Sequence, residues 1–266
     1  LWTTEYNINV QTFTMKLFSR IYGGGKDIII IHGLFGMSDN WATFAKRLSQ
    51  KFKVHCVDIR NHGNSPHSNF FDYDFISEDI INYINQNNIY KPHLLGHSLG
   101  GKAVMKLVLE NKNIFDKSIV IDIAPKEYDI SFHQFLLEKV SNLRIENYTS
   151  RNQIESDLLK SLKNKAITQF ILKNLKRDNE RFLWRFNLSV LKDNLKKISH
   201  ANFCKGVSDL DMMFVKGENS DYIESKDLNR IRNHFSNSKF YEIRNAGHWV
   251  HAENPNDLFH EIINFL

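Results

Sequence analysis

The chain has few of the features that mark a secreted or membrane-bound protein. It has only two cysteines, Cys56 and Cys204, which cannot form a disulfide framework and favour a reducing, cytoplasmic compartment. No uncharged apolar run is long enough to cross a bilayer, so no membrane span is expected. A basic segment followed by an apolar one is also missing from the first residues, so no signal peptide is expected.

A strong excess of charge is lacking too. The net charge is +5, from 35 Lys and Arg against 30 Asp and Glu. The excess is local: residues 130–205 contain 15 basic and 7 acidic side chains, whereas the remainder contains 20 basic and 23 acidic ones. A chain that is basic in one segment only is a weak candidate for a nucleic-acid binder, and no nucleic-acid partner is expected.

Composition and pattern indicate a globular α/β protein. Hydrophobic residues make up 42% of the chain, which suffices for a core and excludes disorder of the whole chain. Short apolar runs such as Ile28–Ile31 alternate with helical patterns at both ends, whereas residues 131–199 read as wholly helical. This pattern predicts a doubly wound, mostly parallel sheet with an inserted helical lid.

The domain boundaries follow from the same pattern. We expect residues 15–129 and 206–266 to form the sheet domain and residues 130–205 to form the lid. Met15 reads as a natural start, so residues 1–14 are expected to be an N-terminal extension of unknown role.

The segment Gly96-His97-Ser98-Leu99-Gly100 is the first candidate for chemistry. It fits the G-x-S-x-G pattern, and it lies between a predicted strand and a predicted helix. In that context the serine occupies a sharp, strained turn that small neighbours permit, and its hydroxyl projects at a helix N-terminus. Ser98 is therefore the candidate nucleophile, and a plain glycine-rich turn is the alternative.

A serine hydroxyl needs a base to act as a nucleophile. The chain has 12 histidines, and their positions relative to the predicted strands indicate which one is the base. His248 follows the last predicted strand, at the sheet edge where Ser98 is expected, and the order serine, acid, histidine suits this fold. His251 competes, but packing against the final helix is the expected role. His97 is expected to be structural.

Two aspartates are candidates for the acid of the triad. In the loop after the strand Met212–Val215, the usual acid position falls on Ser220, and Asp221 comes one place late. Asp122 ends the preceding strand at the same edge of the sheet. We favour Asp122 from the geometry of strand ends and keep Asp221 as the alternative.

Backbone donors and apolar walls complete the predicted site. The segment beginning His32-Gly33-Leu34 is expected to supply one oxyanion N–H from Leu34, with Phe35 as a substitute, and Leu99 the other. His32 is expected to hold this loop by hydrogen bonds.

Three further side chains are weighed as pocket walls. Trp249 is expected to wall the acyl site, with core packing as an equal alternative. Core packing is the stronger expectation for Trp41. Arg185 is expected on a solvated helix face of the lid, with a role in the pocket as the alternative.

The chain resembles the α/β-hydrolases, and within that fold the YbfF-type bacterial esterases and their mitochondrial relatives. The resemblance covers Met15 to the C-terminus and includes stretches more specific than G-x-S-x-G. They are His32–Gly36, Asp58–Pro66, Gly96–Met105, Ile121–Pro125, Trp184–Asn187 and Gly247–Glu253. In this branch the acid after the sixth strand is what the resemblance implies, which also favours Asp122. It further implies a carboxylesterase, with acyl-CoA thioester cleavage attributed to the family as well.

The expected function is therefore that of a serine hydrolase acting on a small-molecule ester or thioester. A zinc-type Cys/His spacing, a G-x-G-x-x-G fingerprint and a P-loop are all missing, so no metal or cofactor is expected. A carbon–carbon bond hydrolase or lyase would keep the same triad, and a non-catalytic ligand-binding or partner-binding member is a further alternative. The sequence does not specify the oligomeric state.

Overall fold

The computed structural model describes residues 15–111 and 113–266. The expected N-terminal extension, residues 1–14, lies outside the described residues. The elements before the insertion are β1 (Ser19–Tyr22), β2 (Lys26–Ile31), α1 (Ala42–Leu48), β3 (Phe52–Val57), α2 (Tyr73–Gln86), β4 (His93–His97), α3 (Leu99–Glu110) and β5 (Ser118–Ile121). Those of the segment predicted as the lid are α4 (Ser131–Asn142), α5 (Arg151–Leu162), α6 (Lys165–Leu172), β6 (Leu175–Asp178), β7 (Arg181–Trp184) and α7 (Leu188–Ser199). The chain then continues with β8 (Met212–Gly217), α8 (Asp227–His234), β9 (Ser238–Ile243), α9 (Val250–Glu253) and α10 (Pro255–Phe265).

Seven strands form one sheet in the order β1-β3-β2-β4-β5-β8-β9. All neighbouring pairs are parallel except β1 with β3, which is antiparallel. From β2 the chain first adds β3 on one side and then β4 and the later strands on the other side, as it does in doubly wound sheets. The predicted mostly parallel, doubly wound α/β sheet is confirmed.

The isoleucine run in β2 shows why this sheet is buried on both faces. Ile29 and Ile31 pack into the core under α2 and α3, whereas Ile28 and Ile30 pack into the core under α1 and α10. Because side chains of a strand alternate between faces, a strand without polar alternation needs an apolar cover on both sides. Parallel strands then bring their carboxyl ends to one edge, where Ser98, Asp122 and the loop after β9 lie.

The expectation that residues 131–199 are wholly helical is wrong at one place. Strands β6 and β7 pair antiparallel, with Leu175 opposite Trp184 and Asp178 opposite Arg181. Asn179, in the two-residue turn between them, has a φ of 52°, which asparagine tolerates better than most residues. The remainder of the segment is built mainly from helices α4, α5, α6 and α7.

Arg185 follows β7 in a bend, so its expected place on a helix face is wrong as well. Its guanidinium donates to the Asn64 side-chain oxygen at 2.5 Å. This contact joins the inserted segment to the loop after β3.

Other contacts also attach the inserted segment to the sheet domain. The Asn174 amide donates to the Phe35 carbonyl oxygen at 2.8 Å, and the Tyr73 hydroxyl donates to the Ile198 carbonyl oxygen at 2.8 Å. The Lys102 side-chain nitrogen Nζ donates to the Ser199 carbonyl oxygen at 2.6 Å. The segment therefore sits over the carboxyl edge of the sheet.

Within the part of the chain that the structure describes, none of the helices has both the length and the apolar character that crossing a membrane requires.

Candidate active site

Ser98 stands at the turn between β4 and α3, with φ 53° and ψ −118°. This conformation is costly for a residue with a side chain, so the surroundings must hold it. The Ser98 N–H donates to the Ile121 carbonyl oxygen at 3.0 Å, and Gly100 permits the close approach of α3 to β2. A Cβ atom at Gly100 would lie 2.1 Å from the Ile31 carbonyl oxygen. The turn therefore presents Ser98 to the cavity at the N-terminus of α3.

His248 and Asp122 are hydrogen-bonded, with 2.7 Å between His248 Nδ1 and Asp122 Oδ2. The Asp122 side chain is fully buried, whereas that of His248 is 18% exposed. Asp122 directly follows β5, and its other oxygen accepts from the Gly217 N–H at 3.2 Å. Because the carboxylate engages Nδ1, Nε2 is the nitrogen left for Ser98, which borders the same cavity.

The loop after β8 contains both Ser220, at the usual acid position, and Asp221. Asp221 is exposed, whereas Ser220 Oγ donates to Asp122 Oδ2 at 2.5 Å. The structure thus brings Asp122 to His248 and places Ser220, rather than Asp221, beside that carboxylate.

Of the candidate oxyanion donors, Leu34 borders the same cavity as Ser98, and Leu99 follows Ser98 in the chain. The Phe35 N–H donates to His62 Nε2 at 3.3 Å, so it is already engaged. This leaves Leu34 as the better donor from the loop after β2. Leu99 is the first residue of α3, where backbone N–H groups have no intrahelical acceptor.

Two buried histidines hold the loop that contains Leu34. His32 accepts from the Ile59 N–H through Nε2 at 3.2 Å and donates through Nδ1 to the Gly33 carbonyl oxygen at 2.8 Å. His62 accepts at Nε2 and donates through Nδ1 to the Arg60 carbonyl oxygen at 3.0 Å. Burial lowers the pKa of His32 to about 4 and that of His62 to about 3. Both rings are therefore neutral near pH 7, and His32 has the loop-holding role expected of it.

His97 and His251 support the neighbourhood of His248. His97 donates through Nε2 to the His248 carbonyl oxygen at 2.8 Å, and burial holds the pKa of His97 well below its usual value. His251 stacks on the buried Trp41, with ring centres 4.1 Å apart and planes at 14°. Trp41 therefore packs in the core, as expected.

The cavity above Ser98 has a volume of about 390 Å³ and is mostly apolar. The sheet domain contributes Phe35 and Trp249, and Trp249 contacts Phe170 of α6 with ring centres 5.7 Å apart. The inserted segment contributes further residues from α4 and α6, namely Phe132, His133, Leu136, Ile167 and Phe170.

Tyr222 and His133 are among the cavity residues that were not anticipated from the sequence. The Tyr222 ring stacks on His248, with ring centres 3.8 Å apart and planes at 22°. Its place one residue after Asp221, in a loop at the carboxyl edge, is the signal that could have indicated it. His133 lies on α4, and nothing in its local sequence separates it from the other histidines.

The sheet order, the strained serine turn and the inserted segment over the carboxyl edge together define an α/β-hydrolase. The sequence profile of the alpha/beta hydrolase fold matches residues 27–255. The chain belongs to this family.

Known proteins similar to the chain include esterases and lipases. It is 33% identical to the zebrafish (Danio rerio) sn-1-specific diacylglycerol lipase ABHD11, over 92% of this chain and 79% of that protein. It is 32% identical to the esterase YbfF of Escherichia coli, over 90% of this chain and 92% of that protein. The solved structure of a marine microorganism esterase is 33% identical, with a TM-score of 0.92, and the match covers 95% of this chain and all of that one. The resemblance to YbfF-type esterases is confirmed.

Proposed function

We propose that this chain hydrolyses carboxylic esters through an acyl-enzyme on Ser98. The observation that carries the proposal is the hydrogen bond between His248 and the buried Asp122 in the wall of the cavity that Ser98 also borders. A nucleophile at a helix N-terminus, a base and an acid that orients the base are the parts that acyl transfer requires. The esterases among its relatives support the same reaction class.

In the first half of the reaction, His248 Nε2 takes the Ser98 proton as the serine oxygen bonds to the ester carbonyl carbon. The backbone N–H groups of Leu34 and Leu99 hold the resulting oxyanion, and losing one such donor costs about 3 kcal/mol of barrier. Collapse of the intermediate breaks the bond to the alcohol oxygen, and His248 returns the proton to that oxygen. Asp122 keeps His248 in the required tautomer and stabilises its cation.

The second half repeats these steps with water as the nucleophile. His248 removes a proton from the water as the water oxygen bonds to the acyl carbon. Breakdown of this intermediate releases the carboxylic acid and returns the proton to Ser98. Neither half requires a metal ion or a cofactor.

Acyl-CoA thioesters are the second substrate class that we propose, because of the charge of the inserted segment. Residues 130–205 carry 15 basic and 7 acidic side chains, and this segment covers the cavity. A basic cover would attract an anionic acyl carrier and would not affect a neutral ester. Raising the ionic strength should therefore lower kcat/KM for acyl-CoA more than kcat/KM for a neutral ester. Equal salt dependence would contradict the thioester proposal alone.

The main test is a panel of para-nitrophenyl esters of rising acyl-chain length, assayed with the wild-type chain and Ser98→Ala. We expect turnover with the wild type and a loss of about 10⁴-fold or more in the variant. Failure to hydrolyse any ester, or unchanged turnover in Ser98→Ala, would contradict the proposal. Failure to hydrolyse any ester would instead favour carbon–carbon bond cleavage by the same residues or a binding role.

A further inference from the structure

Two cavities meet at Ser98, and they differ in size. The larger, of about 390 Å³, is lined mainly by apolar and aromatic side chains, which suit an acyl chain. The smaller, of about 50 Å³, has room for a group of only a few heavy atoms. Among residues 15–111 and 113–266, four border both cavities, and these are Leu34, Ser98, His133 and Tyr222.

His133 is the one of these four that comes from the inserted segment. Its ring stacks against Phe35, with centres 6.4 Å apart and planes at 26°, and meets Phe132 edge-on at 5.7 Å. Burial, reinforced by the nearby His248, lowers the pKa of His133 to about 4. The ring is therefore neutral near pH 7 and offers one N–H donor and one nitrogen acceptor between the two cavities.

Most other polar side chains of the smaller cavity already have partners. Each is hydrogen-bonded to a neighbouring group: Lys102 and Tyr73 to the carbonyl oxygens of Ser199 and Ile198, Tyr128 to that of Tyr222, Ser199 to that of Lys196, and Asp129 to Ser131. The His133 ring differs from these groups. Its pKa is affected by burial and by the charges of His248 and Asp129, and no hydrogen bond from the described residues contributes to that pKa. A polar group next to a reacting ester is most valuable when it is free to bond the substrate.

We propose that His133 determines specificity for the alcohol part of the ester: it hydrogen-bonds a hydroxyl on the leaving group, which occupies the smaller cavity. The inference rests on the proposed function and deepens it. The substrates would be esters of short hydroxylated alcohols, with an apolar acyl chain in the larger cavity.

Propyl butyrate and hydroxyethyl butyrate test this directly, because they differ only in a terminal methyl against a hydroxyl. For the wild type, we expect kcat/KM to favour the hydroxyethyl ester by about tenfold, the size of one hydrogen bond. His133→Phe keeps an aromatic ring but removes both nitrogens, and it should bring the ratio to about one. His133→Asn keeps a donor and should retain part of the preference, and it also serves if the Phe variant folds poorly. Gln134→Ala, an exposed neighbour on α4, is the matched control and should keep the wild-type ratio.

Tyr222→Phe separates the two residues that could bind the hydroxyl, since Tyr222 also borders both cavities. A preference lost in Tyr222→Phe but kept in His133→Phe would overturn the proposal. Equal wild-type activity on both esters would overturn it as well, while leaving the esterase function intact. Hydrolysis of neither ester, with no activity on para-nitrophenyl esters, would instead overturn the proposed function.

Discussion

Ser220 Oγ donates a hydrogen bond to Asp122 Oδ2 at 2.5 Å, although the two residues are 98 positions apart in the chain. The same oxygen accepts the bond from His248 Nδ1 at 2.7 Å. The end of β5 therefore supplies the carboxylate, and the loop after β8 supplies a hydroxyl that holds it.

Removing the Ser220 hydroxyl should weaken catalysis without abolishing it. Ser220→Ala leaves Asp122 with one fewer donor, and a hydrogen bond to a charged group contributes about 1.5–3 kcal/mol. We expect kcat/KM for a para-nitrophenyl ester to fall by about 10- to 100-fold and Ser220→Thr to recover most of it. An alanine variant with wild-type kinetics would show that this hydroxyl is not needed to position Asp122.

The two candidate acids should differ sharply in a paired substitution. Asp122→Asn removes the charge that orients and stabilises protonated His248, so kcat should fall by about 10⁴-fold. Asp221→Asn alters an exposed side chain and should leave kcat within about threefold of the wild type. Steady-state turnover of one ester by both variants is the measurement. A large loss confined to the Asp221 variant would reverse the assignment.

Gly100 should tolerate no side chain. Gly100→Ala would place a methyl group 2.1 Å from the Ile31 carbonyl oxygen, so we expect a loss of about 3 kcal/mol in the free energy of unfolding, or failure to fold. Gly24→Ala is the matched control, because a Cβ atom there meets nothing within 4 Å. Urea unfolding followed by circular dichroism compares them. Similar midpoints for both variants would contradict the close approach of α3 to β2.

The buried Lys102 should make stability depend on pH. Burial lowers its pKa from 10.5 to about 7, so above that pH the unfolded chain binds a proton that the folded chain has released. The free energy of unfolding due to this group therefore rises with pH, by up to about 1.4 kcal/mol per pH unit. The free energy of unfolding of the wild type minus that of Lys102→Met should therefore increase from pH 7 to about pH 10, since buried Cys56 is the same in both chains and cancels in this difference. Parallel pH profiles for the two chains would contradict a neutral Lys102.

The parts of the site that depend on local sequence could be predicted from the sequence. The turn at Ser98 needs only a strand, small residues and a helix in succession, and the buried run Ile28–Ile31 marks β2 directly. The place of His248 follows from the parallel sheet, because every strand delivers its following loop to the same edge. These features share the property that neighbouring residues, or a simple topological rule, determine them.

Features that depend on distant partners could not be predicted in the same way. The short edge strand β1 exists because it pairs with β3, and half of the strand residues in the hairpin of β6 and β7 are charged. The Ser220 contact with Asp122 requires the register of β5 against β8, which the sequence does not specify. His133 borders the same cavities as Ser98 only because the inserted segment lies over the sheet edge.

The most direct test of the central claim is labelling with a fluorophosphonate, which modifies an activated serine covalently. We predict a single adduct in the wild-type chain, located by mass spectrometry on the peptide that contains Ser98. The adduct should be missing in Ser98→Ala and should form much more slowly in His248→Ala, because the base activates the hydroxyl. An unlabelled wild-type chain, or equal labelling of wild type and Ser98→Ala, would contradict an activated nucleophile at this turn.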